Sequence, residues 1–115
     1  MEKIKIEDFL TELKRVDEEF AEICEEYSTE YAIASSIMSA DIMNKYFDWQ
    51  KDESFLYELV VLNTEKGDGK DEETFTAIFL RKSDNKLFEL WLHDSGFIDS
   101  DCLTLCSELV EVLNK

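Results

Sequence analysis

Proline is absent from this chain, and glycine occurs only as Gly67, Gly69 and Gly96. Without proline nothing forces a break inside a helix or on a sheet ladder, so long elements are permitted. Basic residues are scarce: 12 Lys and Arg stand against 28 Asp and Glu, a formal net charge of −16 at pH 7. Such a surface repels phosphate, which excludes direct nucleic-acid binding and disfavours docking on an anionic membrane. No apolar run reaches the length of a secretory signal or a membrane span. A cytoplasmic protein is expected, or one exported by a route that uses no cleaved signal. Cysteine is limited to Cys24, Cys102 and Cys106, and histidine to His93. An odd count cannot pair fully within one chain, and Cys102 and Cys106, four apart on an expected helix, suit a disulfide poorly. One histidine and scattered thiols do not make a zinc set. The cysteines read as buried free thiols in a reducing compartment, and no cofactor is expected.

Against these absences, 44% of the 115 residues are hydrophobic and 12% aromatic. That content excludes disorder and is enough for one domain, residues 1–115, with a real core. Ile6, Phe9, Leu13, Val16, Phe20, Ile23 and Tyr27 recur at steps of three and four, which predicts one continuous amphipathic helix about three heptads long. Glu7 and Asp8 complement its dipole. Ser28 or Thr29 can cap a second helix from Tyr31 to Trp49, carrying Ala34, Met38, Ile42 and Tyr46. A strand at 31–34 competes with that reading. Phe55–Leu62, apolar on both faces, predicts a central or doubly covered strand. Thr74–Leu80 and Leu87–Leu92 predict two more, joined as a hairpin by the turn residues of 83–86. Between the first two strands, 64–73 reads as a long, charged, mobile loop. Ser100 or Asp101 can cap a last helix carrying Leu103, Cys106, Leu109, Val110 and Leu113. The expected fold class is α+β: two N-terminal helices, a three-stranded antiparallel sheet and a C-terminal helix, in the order α-α-β-β-β-α.

No residue set announces catalysis. His93 lies beside Asp94 and Ser95 in sequence, but a triad is assembled by geometry across a fold, and no nucleophile elbow is present. Gly67-Asp68-Gly69-Lys70 fails as a phosphate loop, because Lys70 is followed by Asp71 and by two glutamates. The same loop lacks the ligand offsets of an EF-hand, so Asp68, Asp71, Glu72 and Glu73 would hold a divalent ion only weakly. Glu58 and Glu89 stand out because each interrupts an apolar strand, where alternation would point them at an edge or at solvent. The chain is not expected to be an enzyme.

The distribution of charge says more. Residues 1–30 carry 11 acids and 4 bases, and the excess stands off the apolar stripe of the first helix. Steps of three or four residues on a helix place carboxylates about 4.5–6 Å apart, near the phosphate spacing of a nucleic-acid strand. Like charges at that spacing repel and oppose compaction, a cost that a field-based function would explain; the alternative use of such charge is solubility. In composition and size, though in no shared motif, the chain resembles small acidic inhibitors that mimic nucleic acid, such as phage anti-restriction and anti-CRISPR proteins. It also resembles immunity proteins that block cytotoxic nucleases. The expectation is an interaction module that inhibits a basic nuclease or other nucleic-acid-handling protein. Its contact residues would be Glu18, Glu19, Glu22, Glu25 and Glu26 on the helix, with Asp68, Asp71, Glu72 and Glu73 in the loop. The alternative is a dimeric adaptor or secretion-type chaperone that binds a client through an apolar groove. The chain could be a monomer or a homodimer.

Overall fold

Period-two alternation over residues 73–94 builds the centre of this molecule. A computed structural model describes residues 1–36, 49–67, 72–95 and 103–112. In chain order these form β1 (Lys3–Lys5), α1 (Ile6–Val16), α2 (Glu18–Glu26), α3 (Thr29–Ser36), β2 (Tyr57–Lys66), β3 (Glu73–Arg81), β4 (Lys86–Asp94), β5 (Leu103–Leu105) and β6 (Glu108–Val112). The strands make one antiparallel sheet in the order β1-β6-β4-β3-β2, with β5 also paired to β4. The fold is therefore mixed α and β, but its six strands replace the three expected, and strands stand where a C-terminal helix was expected.

The physical reason for that correction lies in the last two strands. Both pair with the same edge of β4, Leu105 opposite Leu92 and Val110 opposite Glu89. The step from Leu105 to Val110 thus spans five residues against three on β4, a bulge centred on Cys106 and Ser107. A bulge breaks period-two alternation. The break shifts the apolar residues into steps of three and four, which imitate a helix in sequence. At the bulge Cys106 N–H donates to Trp91 O at 3.2 Å, and Ser107 O accepts from Ile6 N–H at 3.1 Å, which fixes the start of α1. Burial pushes the Cys106 thiol up.

The β3–β4 hairpin stands where turn chemistry places it, from Glu73↔Asp94 to Arg81↔Lys86. Asn85 closes it at φ 60°, a conformation Asn tolerates, and its N–H reaches Arg81 O at 2.8 Å. β2 is not central: it is the outer strand of the sheet, and Leu56, Val60, Val61 and Leu62 are exposed. Its apolar run comes from a second bulge, between Leu59 and Val61, that interrupts the alternation. The expected long loop is shorter than its sequence suggested, because 64–66 and Glu73 belong to the strands.

The helices cover one face of the sheet. Phe9 and Leu13 of α1, Phe20 of α2 and Ile33 of α3 meet Ala77, Phe79, Phe88, Leu90, Leu92 and Leu109 in one buried cluster. The predicted continuous first helix is broken at Asp17, whose φ of −137° is extended backbone. Asp17 Oδ1 accepts the Phe20 N–H at 3.0 Å, an N-cap, and Oδ2 accepts the buried Trp49 Nε1–H at 2.9 Å. Ser28 Oγ accepts the Tyr31 N–H at 3.2 Å and so caps α3. That helix ends at Ser36; the rest of the expected second helix, through residue 48, lies outside the described residues, as does Cys102.

The N-terminal segment is pinned to the sheet by charge as well as by backbone. Glu2 N–H donates to Glu111 Oε1 at 3.0 Å, and Glu111 N–H donates to Glu2 O at 2.9 Å. Arg81 reaches Glu2 Oε1 at 2.8 Å and Asp84 Oδ2 at 2.6 Å, with its guanidinium 4.9 Å from the Phe88 ring centre. The Arg81 hydrogen bonds hold the Glu2 carboxyl down to about 2 against an ordinary value of 4.5. A carboxyl lowered on folding stabilises fully above its unfolded pKa and loses that contribution as pH falls through the folded one. Thermal melts of wild type and Glu2→Gln should therefore differ above pH 4.5 and converge as pH falls toward 2. A constant gap across that range would show that the ion pair contributes nothing.

Candidate functional site

Two surfaces stand out, one polar and one apolar. The polar one is α2. At 100° per residue Glu18, Glu19, Glu22, Glu25 and Glu26 fall within an arc of about 120°, with Phe20, Cys24 and Ile23 on the other side. All five glutamates are exposed, while Phe20 is wholly buried. α2 packs on α1 and α3 through that apolar side. Its last turn holds no basic residue, so Glu25 and Glu26 oppose the negative end of the helix dipole. Burial pushes the Cys24 thiol up, which keeps it an unreactive thiol beside this face.

The loop half of the expected contact set is divided. Asp68 and Asp71 lie outside the described residues. Glu73 is held by Lys66 at 3.2 Å, and Glu72 Oε1 lies 3.4 Å from His93 Nε2, both at the end of the β2–β3 hairpin. Thr74 Oγ1 is 2.9 Å from His93 Nδ1, so both ring nitrogens of the histidine have local partners. Among the described residues no group of three His, Cys, Asp or Glu side chains is arranged to hold a metal ion.

Helical spacing places Glu12 off the apolar stripe with the other acids, yet the structure buries it. Its Oε1 and Oε2 take Arg15 Nε and Nη2 at 2.8 and 2.9 Å, and Oε2 also accepts the Leu56 N–H at 2.8 Å. Burial pushes its carboxyl up, but Arg15 and the Leu56 N–H outweigh that and leave it below the usual carboxylate range. The site joins α1 to the entry of β2. Its acceptors are all engaged, so it is a structural clamp.

The apolar surface is the sheet face that the described helices leave uncovered. Strand register lays it out in cross-strand rows: Glu58, Leu80, Leu87 and Val112; then Val61, Ile78, Glu89, Val110 and Lys3; then Asn63, Thr76 and Trp91. An antiparallel sheet facing water ordinarily turns polar residues outward. Here one end of the face is aliphatic and aromatic, and Glu89 stands in the middle of it. A depression of about 460 Å³ opens there, lined by Met1, Glu89, Trp91, Val110 and Val112 with Glu108 and Glu111 at its side. Glu108 is paired with Lys3 at 3.6 Å, and Glu111 accepts the Glu2 N–H. Among the described residues, neither a hydrogen bond nor an ion pair reaches the Glu89 carboxylate. The odd residue in the strand was visible in sequence; Val110 and Val112 beside it were not, because their segment imitates a helix.

No family model, curated protein or solved structure matches this chain, so function is argued from these two surfaces. None of the described helices is long and apolar enough to cross a membrane.

Proposed function

We propose that this protein is a binding inhibitor of a basic, nucleic-acid-handling protein, acting through the carboxylate face of α2 without chemistry of its own. The observation that supports the reading is the concentration of five exposed glutamates on one arc of a nine-residue helix. Two of them sit where the helix dipole disfavours them. Local stability would not select that arrangement, whereas a surface that attracts cations would. Carboxylates spaced along a rod can occupy a groove built for a phosphate backbone, and the long-range field speeds the encounter. In the alternative, a dimeric adaptor or client-binding chaperone, the first-helix stripe would serve as the interface. Phe9, Leu13 and Phe20 of that stripe are buried in the chain's own core, which counts against it as an interface; the strand 55–62, the other surface of that alternative, keeps Leu56, Val60, Val61 and Leu62 exposed.

Glu18→Lys, Glu22→Lys and Glu25→Lys combined should weaken capture of the partner on the order of a hundredfold at low salt, with an unchanged circular dichroism spectrum. The check is affinity capture from host lysate at low and high salt, followed by a DNA competition assay on whatever is retained. A nucleic-acid enzyme held by wild type at low salt, released by high salt or duplex DNA and missed by the triple variant supports the reading. Equal retention by the folded variant sinks it.

A further inference from the structure

Glu89 is a half-buried carboxylate on a largely apolar face, without a hydrogen bond or ion pair to its carboxylate among the described residues; Lys3, in the same cross-strand row, is taken by Glu108. Ile78 and Val110 flank it across the strands, while Leu87 and Trp91 stand two residues either way along β4 on the same face. An apolar sheet face of this kind marks an interaction site, and a carboxylate within it offers a partner one charge-assisted contact. We infer that this face docks a partner-protein segment that presents an arginine side chain between apolar residues. The guanidinium would pair with Glu89 and stack on the Trp91 indole, and the flanking side chains would cover Ile78, Leu87 and Val110.

Charge complementarity selects this occupant. The other two carboxylates of the depression are engaged, Glu108 by Lys3 and Glu111 by the Glu2 N–H, which leaves the Glu89 carboxylate to a partner's cation. A planar guanidinium is suited both to a fork on a carboxylate and to an aromatic face, whereas an ammonium meets only the first demand well. A second copy of this chain fits poorly. A two-fold contact through the face would bring Glu89 toward the Glu89 of its mate, between chains that each carry a net charge of −16. The inference concerns a different surface from α2 and stands or falls separately from the function proposed above.

The test uses the full ¹⁵N-labelled chain and three probes: acetyl-Leu-Arg-Leu-amide, its citrulline analogue, which keeps the shape but not the charge, and acetyl-Ser-Arg-Ser-amide. The arginine–leucine peptide is expected to shift the Trp91 indole N–H and the Glu89 amide in a saturable way, leaving the buried Trp49 indole unmoved. Both other peptides should bind about tenfold more weakly or worse, the size of effect a charge-assisted hydrogen bond or a few apolar contacts supply. Glu89→Gln, checked for folding by unchanged core amide shifts, should reduce the arginine peptide to the citrulline level. Three outcomes overturn the inference: equal binding of the citrulline peptide, shifts confined to the α2 glutamates, or a dimer in sedimentation whose Trp91 indole ignores every peptide. The second of these would leave the acidic-helix reading standing.

Discussion

Phe9→Ala is expected to destabilise the fold by about 3–5 kcal/mol, the range for removing a fully buried aromatic ring. Phe9 has no exposed surface. Its ring centre lies 4.9 Å from that of Phe79 and 5.1 Å from that of Tyr57, so one side chain joins α1 to β3 and β2. The strands on its far side are held in register by their ladder and cannot close over the gap, so most of the cavity should persist. Domains of this size have about 5–15 kcal/mol in total, which would leave the variant near the margin. Urea unfolding is the measurement: the midpoint should fall sharply with little change in slope. Phe9→Leu should recover most of the loss, since it restores much of the volume. A cost below about 1 kcal/mol for the alanine variant would mean that this ring does not hold the helices on the sheet.

Asp17→Ala should cost about 2–4 kcal/mol, combining roughly 1 for a lost N-cap with about 1–3 for a buried donor left without an acceptor. The carboxylate serves two clients with its two oxygens, the Phe20 N–H and the Trp49 indole N–H. Asp17→Asn has one acceptor oxygen and should fall between wild type and alanine. Asp17→Ser can cap but cannot reach the indole. A double-mutant cycle with Trp49→Phe isolates the second bond: the Asp17→Ala penalty should shrink once no indole donor remains. Denaturation of the four proteins measures this, and strict additivity would show that the buried hydrogen bond carries no net stability.

These two residues also show how far local pattern reaches. Of the apolar stripe from Ile6 to Tyr27, Ile6, Phe9, Leu13 and Phe20 are buried and Val16 and Ile23 partly so, but Tyr27 is exposed and Leu10, outside the stripe, is buried. The break within the stripe was not legible, because Asp17 sits at the margin of the apolar arc of a helical wheel, where a single acid is unremarkable. What makes it a boundary is Trp49, which lies 32 residues away in sequence. The candidate contact residues divide similarly. The α2 glutamates are exposed as their helical spacing implies, because on a helix spacing alone sets the face. Glu72 and Glu73 are engaged by His93 and Lys66, which only the folded hairpin brings near.

Legible in the residues alone are the acidic character, the helical N-terminal third, the β3–β4 hairpin and the misfit of Glu89 in its strand. Each of these rests on residues within a few positions of one another: charge count, apolar spacing, turn chemistry, alternation. Long-range pairing made the C-terminal segment strand, put β2 at the edge and gathered an apolar patch on the face away from the described helices. Three-residue β1 carries no local signal of its own. It is a strand because β6 offers it an edge, and β6 is a strand because β4 offers another. Strand identity of that kind is settled by hydrogen-bond partners far along the chain, and a bulge that accommodates them erases the alternation that would have announced it.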